Sequence, residues 1–293
     1  MSWDIAACGT LHRDDITTPH GRADSLGGSA VYFAMAAATF SRVHVNGIVG
    51  SDTSDEYRSM LRHPRIDMSA VVVSRSPTFR WHAVHDFQRW VTADEWSEPG
   101  CDAEWQPALE AASANAPVLF LGSMHPRLQL AILDQSHALL VGADSMTVFM
   151  RDDRESVLAV AAAADILFLN ADEVQMLAAV VGWRAAARAL CGRGRLRAVV
   201  VKQGPDGASC VTSNVTHDVA AHPVELVVDP TGAGDALAGG FLGRLARDER
   251  ADDELFENAL RDGARCAAAA VKTFGVGGLQ AISGNGGGFP PQV

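Results

Sequence analysis

The stretch Val227–Gly240, VVDPTGAGDALAGG, sets Gly232, Gly234, Asp235 and Gly239 among small apolar residues. The preceding run VELVVD has strand character. The following ALAGGFLGRLARD carries Leu237, Phe241, Leu242 and Leu245 at helical spacing. The sequence therefore predicts a strand-to-helix turn over Thr231–Asp235. The first N–H groups of a helix have no partner within it, and the helix dipole makes that end electropositive. Glycine puts no Cβ in the path of a ligand. An anion hole made by the amides of Gly232, Ala233 and Gly234 is expected. Pro230 has no N–H to give and stands outside it. Asp235 is the odd member. A carboxylate at a helix start is ordinarily a cap. Beside an anion hole, however, it repels a bound phosphate unless something lies between them. A substrate hydroxyl would fill that place. Asp235 would accept its proton as the oxygen attacks phosphorus, while the amides hold the charge on the transferring group.

Outward from this strip the chain alternates. The runs WDIAAC, RVHVNGIVG, PVLFLG, ALLVGA, DILFLN and RAVVVKQG are short, apolar and β-like. Between them lie the helical stretches SAVYFAMAAATF, PRLQLAILDQ, RESVLAVAAAA, EVQMLAAVVG and WRAAARALCG. Strands that are apolar throughout imply an α/β fold with a mostly parallel sheet covered on both faces. Ligands bind such sheets at the carboxyl ends of the strands. Two stretches break the alternation: LHRDDITTPHGRADS, and VVVSRSPTFRWHAVHDFQRWVTADEW. They form either a small β-rich flap, over about residues 11–24 and 70–98, or two long loops. The Gly/Pro-rich tail 284–293 is expected to be disordered.

The bulk numbers exclude several function classes. With 293 residues, 48% of them hydrophobic, the chain can bury a large core. A formal net charge of -11 argues against nucleic acid or an anionic membrane as partner. Five cysteines without a CxxC suit a reducing compartment and give neither a disulfide framework nor a zinc site. The start MSWDIAACGT lacks a signal-peptide pattern, and the longest apolar runs are broken by charge. A cytoplasmic setting is expected. A dinucleotide fingerprint would need glycine where Leu237 stands, and the GKS or GKT of a P-loop is absent.

Taken with motifs elsewhere, DPTGAGDALAGGFLG resembles the second signature of the ribokinase-like, PfkB-type carbohydrate kinase family. LGGSAVYFAMAAATF resembles its first signature, LNADE its N-x-x-E motif, VVVKQGPDGA its strand and G-x-x-G turn, and KTFGVGGL its late nucleotide loop. They occur in the family's order from Trp3 to about Leu279. The resemblance implies a three-layer sandwich with a central, mostly parallel sheet between helices and a small β lid. It implies one kinase domain over 1–283 that phosphorylates a hydroxyl, expected to be primary, of a small sugar, polyol or nucleoside with ATP.

The resemblance also distributes roles. Asp235 is the catalytic base, with Gly232, Ala233 and Gly234 as the anion hole. Asp229 and Thr231 help bind a monovalent cation such as K⁺, together with carbonyls near Thr273–Gly278. Asn170 and Glu173 organise hydrated Mg²⁺, a role that oxygen donors acting through water can fill. The alternative reading is that Glu173 only supports the first turn of the following helix. Lys202, beside Gly204 and Gly207, is either a cation near the ATP phosphates or a lysine snorkelling at a strand end. Asp14 holds substrate hydroxyls, with Asp15 one register away. Gly27 and Gly28 let substrate approach the backbone. Tyr32 stands where some sugar kinases of the family have asparagine, which counts against ribose-type recognition. In the lid, Arg80 touches substrate or is solvated. His82 and His85 read as lid surface, and Asp144 as a further residue facing the acceptor. Family resemblance also suggests a homodimer through the lid. The rival reading is a ligand-binding or regulatory protein on the same fold, without turnover.

Overall fold

The computed structural model describes residues 4–88 and 91–283. Arg89 and Trp90 of the expected flap and the tail 284–293 lie outside the described residues. The strands are β1 (Ile5–Cys8), β2 (His12–Thr18), β3 (Gly21–Gly27), β4 (Val43–Gly50), β5 (Ile66–Asp67), β6 (Val71–Ser74) and β7 (Arg80–Asp86). They continue with β8 (Val91–Glu98), β9 (Val118–Leu121), β10 (Leu140–Asp144), β11 (Ile166–Asn170), β12 (Ala198–Lys202), β13 (Ala208–Thr212) and β14 (Thr216–Val219).

The main sheet runs β14-β13-β12-β11-β10-β9-β1-β4-β5, with β6 also on β4. It is parallel from β12 to β5, and β13 and β14 add antiparallel at one edge. The six apolar runs read from the sequence are β1, β4, β9, β10, β11 and β12. Strand periodicity divides their side chains between two cores. Ala6, Cys8, Leu119, Leu121, Val199 and Val201 face one, under the helices of the chain's middle third. Ile5, Ala7, Val118, Phe120, Ala198 and Val200 face the other, under helices Ser29–Ala37, Ala233–Asp248 and Asp253–Ala270. A sheet wet on neither face needs strands apolar on both, which is what the continuous runs supplied.

The interrupting stretches form a second sheet, β3-β2-β7-β8. β2 pairs antiparallel with β3 and parallel with β7, and β7 pairs antiparallel with β8. The two-loop alternative is therefore wrong. The expected flap boundary was also too wide, because β6 pairs with β4 in register Gly47↔Val71 and belongs to the main body. VELVVD is not a strand. Its backbone N–H groups at Val228 and Asp229 donate to the carbonyl of Val271, 2.8 and 3.3 Å away, and so hook the segment to the end of helix Asp253–Ala270. β propensity there is overridden by a competing acceptor.

Helix Ala233–Asp248 packs closely on helix Ser29–Ala37. A Cβ on Gly239 would lie 2.4 Å from the Phe33 carbonyl oxygen, and one on Gly243 would lie 3.1 Å from Ala37 Cα. Phe33 in turn stacks on Phe120 at 3.8 Å between ring centroids. Gly239→Leu is expected to lower stability by roughly 1–3 kcal/mol or more through overpacking. Thermal unfolding measures this, and a Tm at or above that of the parent would refute the close crossing.

Candidate active site

A cleft of about 1090 Å³ opens between the carboxyl ends of the parallel strands and the four-stranded sheet. Gly9, Asp144, Asn170 and Lys202 reach it from the ends of β1, β10, β11 and β12. Asp14 and Trp81 reach it from β2 and β7. Helix Ala233–Asp248 points its first turn at the same space.

Gly232 caps that helix at φ 73, in the left-handed region, with no side-chain cap. A Cβ there would lie 2.2 Å from Tyr32 Cγ, so the Tyr32 ring covers the cap. Gly232 and Gly234 line the cleft. Ala233 does not appear in the lining, and its N–H donates to the Pro230 carbonyl at 3.3 Å. The amide expected from Ala233 is thus engaged in the turn itself. Asp235 sits on the first helical turn, partly exposed to the cleft. Burial, then the nearby Asp144 carboxylate, push its pKa up to about 7, against the opposing pull of Lys202 and its own backbone amide.

Lys202 and Asp144 form an ion pair, with Nζ at 2.7 and 3.0 Å from the two carboxylate oxygens. Sequence reading named both residues but not their pairing, since β10 and β12 are separated by β11 and only the sheet order brings their ends within reach. Burial works against the charged lysine, but Asp144 and Glu173 outweigh it and the net pKa shift is upward. A Cβ on Gly234 would lie 3.1 Å from Lys202 Nζ, so the ammonium flanks the helix mouth.

Asn170 and Glu173 form a capping box on helix Ala171–Ala178. Asn170 Oδ1 accepts from the N–H groups of Asp172 and Glu173, and Glu173 Oε2 accepts from Asn170 N–H at 2.8 Å. The plain capping explanation holds, yet both residues also line the cleft. Burial pushes the Glu173 pKa up, offset in part by Lys202.

On the opposite wall the register ambiguity between Asp14 and Asp15 resolves. Asp15 faces away, between Arg22 and His82. Asp14 lines the cleft at 2% exposure, and its Oδ1 has no hydrogen-bond partner among the described residues. Burial first, then the charges of Asp229 and Asp235, hold its pKa well above the ordinary carboxylate range. A Cβ on Gly27 would fall 1.8 Å from Asp14 Oδ2, so Gly27 makes room for that carboxylate and does not itself line the cleft. Gly28, at φ 104, does line it.

Several expectations need correction. Arg80 is not brought to the cleft, because its guanidinium pairs with Asp24 at 2.7 Å. Gly207 shapes the β12–β13 turn, where a Cβ would strike the Val219 carbonyl at 2.1 Å, whereas Gly204 lines the cleft. His85 is not lid surface. It is buried, lines the cleft and places Nε2 3.0 Å from Thr231 Oγ1. Trp81 and His85, four apart on β7, line the cleft together, and His82 on the opposite face meets Asp15, so strand alternation holds through His85. Asp229, 1% exposed, accepts from Thr231 N–H at 2.9 Å, and burial raises its pKa.

A parallel α/β body, a bare helix mouth and a carboxylate beside a lysine at the carboxyl ends of its strands form the arrangement expected of a ribokinase-type phosphotransferase. The sequence profile of the pfkB family carbohydrate kinases matches residues 5–281, and the chain belongs to that family. It is 27% identical over 252 residues to a cytidine kinase of Thermococcus kodakarensis, covering 83% of this chain and 89% of that one. Its fold matches the adenosine kinase of Sinorhizobium meliloti at a TM-score of 0.78 and 18% identity, over 94% and 95% of the two chains. It also matches a fructokinase double mutant of Vibrio cholerae in its fructose, ADP and potassium ion bound form, at 0.76 and 21%, over 96% of each. No helix among the described residues is long and apolar enough to cross a membrane.

The local field makes one titration predictable. Asp144→Asn removes the like charge that raises Asp235 and leaves Lys202 in place, so the Asp235 pKa should fall below about 7. Carboxyl carbon NMR of the two proteins checks this, and an unchanged or higher value would contradict the assigned cause.

Proposed function

We propose that the protein transfers the γ-phosphoryl group of ATP to a primary hydroxyl of a sugar or nucleoside, with Asp235 as the base. One observation carries the base assignment: a cleft-facing carboxylate with pKa about 7, on the first turn of a helix whose Gly232 and Gly234 border the same space. The acceptor oxygen attacks the γ-phosphorus as the bond from that phosphorus to the bridging oxygen breaks. The hydroxyl proton passes to an Asp235 carboxylate oxygen, and ADP leaves. The free amides at the helix mouth and the Lys202 ammonium offset charge on the transferring group. A base with pKa near the working pH is ionised often enough to act and basic enough to take the proton.

Asp14 would hold acceptor hydroxyls through its unpartnered Oδ1. The four-stranded sheet would act as a lid that excludes water from the transfer. Oxygen donors at Asn170 and Glu173 suit hydrated Mg²⁺, which would neutralise phosphate charge. A single carboxylate and an amide make no closed cage, and among the described residues no group of three or more His, Cys, Asp or Glu is placed to hold a metal ion, so the ion would be held partly by water and by ATP. The buried Asp229 with Thr231 suits a monovalent cation, and K⁺ is the proposed occupant. The cytidine kinase relative and the nucleoside and fructose kinases of like fold support a sugar or nucleoside acceptor. The same reading carries a cytoplasmic setting and a homodimer through the lid. Sedimentation tests the dimer, and a monomer at every concentration would rule it out.

Asp235→Asn should lower turnover by about 10² or more with ATP binding largely kept. ADP release in the presence of pooled sugars and nucleosides reads the effect, and comparable turnover would remove Asp235 as base. The sign of the pH dependence follows from the raised pKa. Asp235 is protonated below about 7, so kcat/KM should fall about tenfold per pH unit on the acid side and level off above. A profile flat down to pH 5 would contradict it.

A further inference from the structure

The cleft contains polar atoms that phosphoryl transfer does not use. His12 and Asp102 line the cleft, and within them His12 Nε2 and Asp102 Oδ1 are shielded from bulk water and have no hydrogen-bond partner among the described residues. The second Asp102 oxygen, Oδ2, lies 3.6 Å from His12 Nε2. The two side chains therefore present a donor and an acceptor next to each other. His12 comes from the start of β2 and Asp102 from the short 3₁₀ turn Cys101–Glu104. His12 and Asp14 are two apart on one strand and share its face, at a spacing of roughly 6.6–6.8 Å. That is about the reach from sugar hydroxyls to the far edge of an attached ring. The surroundings are apolar: Ile48, Trp105 and Met124 are each under 9% exposed and line the cleft. Phe79 also lines it, with its ring 4.4 Å from that of His12.

We propose that His12 and Asp102 read the ring of a nucleoside acceptor, and that the ring carries an exocyclic amine next to an unprotonated ring nitrogen. The inference rests on the kinase reading above. Asp102 Oδ1 accepts from the amine, and His12 Nε2–H donates to the ring nitrogen. A free sugar held by Asp14 leaves both atoms unsatisfied, which a low-dielectric pocket penalises. Uracil and hypoxanthine present a carbonyl and a ring N–H in those places, so both contacts are reversed. Cytosine and adenine present the matching edge. The apolar wall and Phe79 suit a flat aromatic ring better than a polyol.

Calorimetry of the full chain without ATP tests this with cytidine against uridine, adenosine against inosine, and free ribose and fructose. At least one amino nucleoside should bind about tenfold or more tightly than its oxo counterpart, and the pair that discriminates separates pyrimidine from purine. Asp102→Ala should bring that ratio to within about threefold, and the corresponding KM ratio should shift with it. Equal affinity within both pairs overturns the proposal, as does binding of a free sugar with no nucleoside bound. An Asp102→Ala loss that is the same for every acceptor does so too. If a sugar stimulates ADP release and nucleosides do not bind, this inference fails and the kinase reading stands. If no acceptor stimulates ADP release, the kinase reading fails, while the affinity ratios still decide the ring contacts.

Discussion

A carboxylate held in low-dielectric surroundings at the open end of a helix is the constraint around which the cleft is arranged. Asp235 would be fully ionised at neutral pH in water. Here burial and Asp144 raise its pKa to about 7, while Lys202 limits the rise. Asp14, Asp229 and Glu173 are raised by burial as well. Acids so crowded cannot all be charged together without compensation. A polyphosphate entering the cleft would add more negative charge, against one half-buried lysine and a helix mouth. Added cations would offset that charge, which is the physical reason for proposing them at Asn170–Glu173 and Asp229–Thr231.

The body of the protein holds these groups in place through close packing. Gly239 and Gly243 let helix Ala233–Asp248 lie directly on helix Ser29–Ala37. The second helix starts at Gly28 and Ser29, where Ser29 N–H donates to Thr10 Oγ1 at 3.1 Å. The cleft wall at Gly28 and Ser29 and the helix that carries Asp235 thus share one rigid contact. Tyr32 completes the link, since its ring covers the Gly232 cap. The aromatic ring fills the space beside that cap, where the smaller side chain of an asparagine would leave room.

Much of this was legible in the residue order. Continuous apolar runs gave the parallel strands, because burial on both faces leaves no polar alternation. Glycines and a carboxylate at the start of an amphipathic run marked the helix mouth, because few other uses need that backbone freedom. VELVVD misled because propensity ignores which acceptors lie nearby, and here the Val271 carbonyl takes its amides. Arg80 misled because a lid arginine can face either way, and Asp24 claims it. His85 was missed because the sequence does not show which side of the lid strand meets the cleft; alternation puts Trp81 and His85 on the same side, and the packing of the lid turns that side inward.

The sequence by itself determined the parallel α/β body, the carboxylate at the mouth of the late helix and the family to which the chain belongs, since each is written in contiguous residues whose chemistry acts locally. Only the tertiary structure decided that Lys202 pairs with Asp144, that Asp14 rather than Asp15 faces the cleft, and that His12 and Asp102 stand side by side. Those are meetings between residues far apart in the chain or choices of side on one strand. Both depend on sheet order and register, which follow from the energy of the whole packed core and not from any short stretch within it.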